Sequence, residues 1–147
     1  HADLRRPDLR GREAGELASR VAVHPQVRDA LVDFQRAFAA GPAGAVLDGR
    51  DIGTVICPNA DVKLYVTASA EVRAERRTEE LSAKGRTVEY DRILAEVRER
   101  DERDSNRPVA PLRPAADAVV IDTSALTRDD AFEAAVAAIE AKLATRR

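Results

Sequence analysis

The sequence predicts an α/β fold with a mostly parallel sheet. Short apolar runs at residues 45–48, 62–66 and 118–121 alternate with segments whose apolar residues recur at helical spacing. A chain of 147 residues with 44% hydrophobic content is enough for one ordinary globular core.

Residues 12–22 and 25–39 read as helices. Pro25 suits a first helical position, and Val27, Leu31, Phe34 and Phe38 share one stripe, where the aromatics read as structural. Gly41-Pro42-Ala43-Gly44 forms a turn before the first strand, 45–48, which ends in the polar loop Asp48-Gly49-Arg50-Asp51. The second strand, 62–66, leads into a Glu- and Arg-rich helix over 69–83 that stops at Lys84-Gly85-Arg86. Thr87 is placed to cap a longer helix whose Tyr90, Ile93, Leu94 and Val97 fall at i, i+3, i+4 and i+7. Pro108, Pro111 and Pro114 forbid a continuous helix, so residues 108–116 are expected to be an ordered loop before the third strand. Thr127 with Asp130 matches a capping box with Asp in place of Glu, and Phe132, Val136, Ile139 and Leu143 give the last helix an apolar face.

Bulk charge predicts neither nucleic-acid nor membrane binding, since 24 Lys and Arg face 26 Asp and Glu. Only Lys63, Lys84 and Lys142 are lysines, and the 21 arginines bring planar forks suited to phosphate and carboxylate. One cysteine, Cys57, rules out an internal disulfide framework and a thiol-rich zinc site; the two histidines make no cluster, so no metal site is expected. No apolar run approaches the roughly 20 residues of a membrane span, and a cytoplasmic location is expected.

Two constellations carry chemistry. Arg100, Asp104 and Arg107 have i, i+4, i+7 spacing, which sets two guanidiniums and a carboxylate along one helix face. Such a face can grip an anion; it is also what a solvated ion-pair ladder looks like. Gly49-Arg50-Asp51 follows a strand whose carboxyl end is where open α/β sheets place ligands, although the same tetrapeptide also serves as an ordinary turn.

Residues 47–55, then Lys63, the helix carrying Arg73 and Arg77, and Arg98-Glu99-Arg100-Asp101-Glu102-Arg103-Asp104-Ser105-Asn106-Arg107-Pro108-Val109-Ala110-Pro111-Leu112 together resemble the bacterial cytidylate kinases, in the same order. Ala18-Ser19-Arg20-Val21-Ala22 and Pro25-Gln26-Val27-Arg28 extend the likeness upstream. The resemblance implies a P-loop nucleoside-monophosphate-kinase sheet and transfer of the ATP γ-phosphoryl to CMP or dCMP, with Mg2+ assisting. It implies that Ser19, Arg28 and Asp51 meet the cytosine edge, that Arg50 and Arg107 hold the acceptor phosphate as the catalytic pair, and that Arg100 and Asp104 lie at the ribose. Residues 73–88 are similar to a mobile lid in which Arg73 and Arg77 approach the donor phosphates. On this likeness residues 1–24 end a CMP-binding insertion and 25–147 form the core domain. The complete protein is expected to be a monomer whose partners are CMP, dCMP and ATP.

The family's Gly-rich ATP loop of the G-x-x-x-x-G-K-[ST] type has no counterpart, because no Gly-Lys pair occurs in the sequence. The expectation is a chain that starts after the first core strands, inactive by itself and loosely packed. The alternatives are a noncatalytic nucleotide-binding or interaction fragment and a kinase of another mononucleotide.

Overall fold

The computed structural model describes residues 12–21, 24–108 and 110–145, and within the first helix the side chains of Arg12, Glu13, Glu16 and Ser19 lie outside that description. The chain forms two compact units, His1–Leu47 and Asp48–Arg147.

In the first unit, α1 spans Arg12–Val21 and α2 spans Pro25–Ala39. Pro25 opens α2 where its missing N–H costs nothing. The stripe Val27, Leu31, Phe34 and Phe38 forms as its spacing requires, yet every member is exposed. An apolar stripe is buried only when another surface covers it. The run at 45–48 is not a strand: it carries no sheet assignment, and Val46 is 96% exposed. A strand exists by pairing its backbone with a neighbour, and this run pairs with none among the described residues.

The second unit holds a two-stranded parallel sheet, β1 (Leu64–Thr67) beside β2 (Val119–Asp122), in the register Leu64 to Val119 and Thr67 to Asp122. Both strands begin later than the apolar runs suggest, by two residues and by one. Between them run α3 (Ala70–Ala83) and α4 (Tyr90–Asn106), and α5 (Arg128–Ala144) follows β2. Ser69 caps α3 by accepting from the Val72 N–H at 3.2 Å. The helix ends in a Schellman arrangement: the Arg86 N–H reaches the Leu81 carbonyl, the Gly85 N–H reaches Ser82, and Gly85 takes φ 73°. Helix α4 begins two residues later than expected, with Glu89 and not Thr87 at the N-cap position, and no side-chain capping bond forms there. The Thr127–Asp130 capping box at α5 forms reciprocally.

The apolar core is the α3–α4 hairpin. Ala74, Leu81 and Ile93 are buried there, and Val88, Tyr90, Leu94 and Val97 pack against them, as the i, i+3, i+4, i+7 stripe requires. The sheet and α5 are less covered: Val66, Val120 and Phe132 are each more than half exposed.

Candidate active site

The loop that follows residue 47 is built around a single π-type turn, Ile52–Ile56. The Asp51 carbonyl accepts from the Thr54, Val55 and Ile56 N–H groups at 3.3, 2.8 and 3.2 Å, and the Thr54 hydroxyl donates to it at 3.3 Å. Glycines fit this turn to its surroundings. A Cβ on Gly49 would stand 2.9 Å from the Ile52 side chain, so Arg50 leaves a backbone pressed directly onto the turn.

Arg50 uses that position to reach α4. Its Nε lies 3.0 Å from Asp104 Oδ2, and Arg100 Nε approaches the same oxygen at 3.8 Å. The Asp104 side chain is only 5% exposed, whereas both arginines remain about half in water. A carboxylate set between two guanidiniums holds their forks in place. Burial, and after it the Arg50 charge, push the Arg100 guanidinium below its ordinary value, while Asp104 pulls it back. Arginine starts so high that it stays charged at neutral pH.

Where α4 ends, the chain doubles back. The Leu112 N–H donates to the Asp104 carbonyl at 2.8 Å, and Ala110, buried and at φ 51°, turns its carbonyl to accept from Arg107 Nε at 2.6 Å. A non-glycine residue in that region is strained by roughly 1–2 kcal/mol, which the closed loop must offset. Among the described residues Arg107 Nη2 is left buried with no hydrogen-bond partner. A buried guanidinium donor without an acceptor is costly, and a bound anion would remove the cost.

The cytidylate kinase family profile matches residues 2–141. The chain belongs to the cytidylate kinase family. It is 62% identical over 146 residues to a cytidylate kinase of Cereibacter sphaeroides, an alignment that covers 99% of this chain and 71% of that protein. Against a cytidylate kinase of Paramagnetospirillum magneticum it is 62% identical over 143 residues, covering 95% of this chain and 68% of the relative. Against one from Mesorhizobium japonicum it is 57% identical over 146 residues, covering 99% and 67%. Membership makes the fold that of a P-loop nucleoside monophosphate kinase, of which the parallel pair β1–β2 and its flanking helices are part. The full-length protein is an enzyme of the transferase class, acting on small-molecule nucleotides, with ATP the donor that the cytidylate kinase family implies.

Within that family frame, the structure brings Arg50, Arg100 and Asp104 into one cluster and sets Arg107 three residues beyond Asp104, at the end of the same helix. Asp51 is half-buried at the head of the π-type turn. Arg28 is a half-buried residue of α2, and Ser19 belongs to α1, its side chain outside the described residues. Arg73 is fully engaged elsewhere: its Nη1 meets Asp101 Oδ1 at 2.8 Å, its Nη2 meets Oδ2, and its Nε donates to the Ala68 carbonyl at 3.0 Å. Arg77 pairs with Glu80 at 2.7 Å.

Among the described residues no group of three or more His, Cys, Asp or Glu is disposed to hold a metal ion, and none of their helices is long and apolar enough to cross a membrane. Two anchors received no assigned role from sequence. Arg76 donates to the Thr123 hydroxyl at 3.1 Å and the Thr123 carbonyl at 2.7 Å, tying α3 to the loop after β2. Lys63 donates to Asp117 Oδ1 and Oδ2 at 2.8 and 2.9 Å and to the Pro58 carbonyl at 2.5 Å. Neither long-range tie has a local sequence signal, because Thr123 lies 47 residues from Arg76 and Asp117 lies 54 from Lys63.

Proposed function

We propose that the full-length protein transfers the γ-phosphoryl group of ATP to CMP or dCMP, giving CDP or dCDP, and that this chain supplies the acceptor site and the lid. The observation that carries the reading is the buried Arg107 Nη2, without an acceptor among the described residues, just past the end of the helix whose Asp104 gathers Arg50 and Arg100. Guanidinium forks at fixed positions suit a phosphate whose charge grows during transfer, and stabilising that charge needs no covalent protein intermediate.

In this reading Arg50 and Arg107 bind the acceptor phosphate and hold its attacking oxygen in line. Arg100 and Asp104 face the ribose, where the Asp104 carboxylate accepts from a sugar hydroxyl. Ser19, Arg28 and Asp51 present donors and acceptors to the cytosine edge. Arg73 and Arg77 belong to the lid over 73–88 and approach the donor phosphates on closure, excluding water. Residues 1–24 complete the CMP-binding insertion, with the core from 25 onward.

Arg107→Ala in the full-length protein tests this. Loss of a charge-assisted contact of about 1.5–3 kcal/mol lowers kcat/KM for CMP by about 10- to 150-fold. Unchanged kinetics contradict the assignment. A parallel titration with UMP and AMP reads the base preference, and a preference for a purine removes CMP as the acceptor.

A further inference from the structure

Lys63 was part of the sequence likeness, and the acceptor chemistry gives it no task. Its side chain is only 8% exposed, and its ammonium donates to Asp117 Oδ1, Asp117 Oδ2 and the Pro58 carbonyl. An ammonium has three protons, so this one has none to spare for a ligand. Its backbone carbonyl also accepts from the Val119 N–H at 2.9 Å. Lys63 therefore grips the entry to β2 twice, through main chain and side chain.

The stem of the same side chain lies along the π-type turn. A Cβ placed on Gly53 would be 3.3 Å from Lys63 Cδ, 3.5 Å from Cγ and 3.7 Å from Cβ, so an added methyl would make the stem give by a few tenths of an ångström. Pro58, which the ammonium holds, lies just past the end of that turn. At the turn's other end Gly49 presses on Ile52, and Arg50 follows. A continuous line of contacts thus runs from the β2 entry through Lys63 to Gly53, Ile52, Gly49 and Arg50, ending at the Arg50–Asp104 pair.

We infer that Lys63 is a positioning residue for the acceptor phosphate: clamped by Asp117 and Pro58, its stem sets the height of the 52–56 turn and so aims Arg50 and Asp51. It touches no substrate. The inference rests on the acceptor-site reading above, because it gives Lys63 a function only through residues placed there.

The test is steady-state kinetics of the full-length protein with Lys63→Met, Lys63→Arg and Gly53→Ala. Met keeps an unbranched stem and loses all three ammonium bonds. Lys63→Met is expected to raise KM for CMP about tenfold, the scale of a small misplacement of a binding group, and to leave KM for ATP within twofold. Lys63→Arg, which keeps the charge and can still pair with Asp117, recovers at least half of that loss. Gly53→Ala raises KM for CMP in the same direction, and the double variant Gly53→Ala, Lys63→Met costs less than the product of the two single effects, because both act on one contact.

A Lys63→Met protein that melts earlier but keeps its KM for CMP makes Lys63 a staple of the sheet alone and overturns the inference. So does a uniform loss of affinity for both nucleotides. Should Lys63→Met fail to accumulate as folded protein, Asp117→Asn removes the bidentate partner and leaves the Pro58 bond, and the same split in KM decides. The wild-type titration separates the two ideas. If the wild type prefers another monophosphate, the CMP assignment fails, and Lys63 stands or falls on KM for that preferred acceptor.

Discussion

Replacing Asp104 by Asn separates positioning from charge at the heart of the site. The carboxylate lies 3.0 Å from Arg50 Nε and 3.8 Å from Arg100 Nε. At an effective dielectric constant of about 20 those separations correspond to gross attractions of about 5.5 and 4.4 kcal/mol. Both arginines are about half exposed, so water returns most of that when the carboxylate is neutralised, and burial of the carboxylate offsets more. A net loss on the order of 1–2 kcal/mol remains, equivalent to about 5- to 30-fold in kcat/KM for CMP. The sign is the informative part. If Asp104 served only to balance charge, removing it would leave a more positive patch, and CMP would bind more tightly. If it orients Arg50 and Arg100 and accepts from the sugar, Asn weakens CMP while attraction of inorganic phosphate as a competitor holds or rises. Full-length Asp104→Asn is therefore assayed for KM of CMP and for inhibition by phosphate at fixed ionic strength. A KM for CMP that stays level or falls refutes the positioning role.

Two further predictions concern stability of the full-length protein. Gly85 sits at φ 73° with no atom near its Cβ position, so Gly85→Ala meets no clash and is opposed only by backbone strain of about 1 kcal/mol, read as a lower urea midpoint with an unchanged slope. The Lys63 hydrogen bond holds the Asp117 carboxyl below the usual carboxylate range. A depressed carboxylate contributes stability that is present above its unfolded value and is lost as pH falls through its folded value. Acid titration of the urea midpoint should therefore show a steeper fall in the wild type than in Asp117→Asn.

What sequence conveyed well was what local periodicity and local chemistry decide. The stripe Tyr90, Ile93, Leu94 and Val97, the Lys84-Gly85-Arg86 stop and the Thr127–Asp130 box all rest on residues within seven positions of each other, and all three are present. The run at 45–48 has the composition of a buried strand, but strand formation is decided by a neighbour, and apolar residues with no ladder partner stay exposed. Thr87 was a suitable cap by residue type, yet the helix begins after Glu89, where the Schellman ending of α3 delivers the chain. The site was legible in part for the same reason. Arg100 and Asp104 are one helical turn apart, so their pairing follows from spacing, whereas Arg50 joins them across 54 residues: its loop position marked it as a candidate, and only the family likeness put it in the same site. The π-type turn and the Lys63 clamp have no sequence pattern, because both depend on where glycine lets two segments touch.

The proposed lid arginines differ in what holds them, and the difference bears on how closure would proceed. Arg77 shares the exposed Glu80 with Lys84, a solvent-screened arrangement readily exchanged for a phosphate. Arg73 makes a bidentate pair with Asp101 and a third bond to the Ala68 carbonyl, and beside it Arg98 pairs with Glu71, so two ion pairs join the start of α3 to the second half of α4. The Asp101 bond, more than any other influence, makes the Arg73 guanidinium still harder to deprotonate. Asp101 lies one residue past Arg100 and three before Asp104 on α4. The residue that restrains Arg73 is thus on the helix that carries the proposed ribose contacts. Donor phosphates that captured Arg73 would have to outbid Asp101, whereas Arg77 could be taken first at little cost. That ordering assigns Arg77 to early contact with the donor and makes Arg73 the arginine whose movement reports on α4.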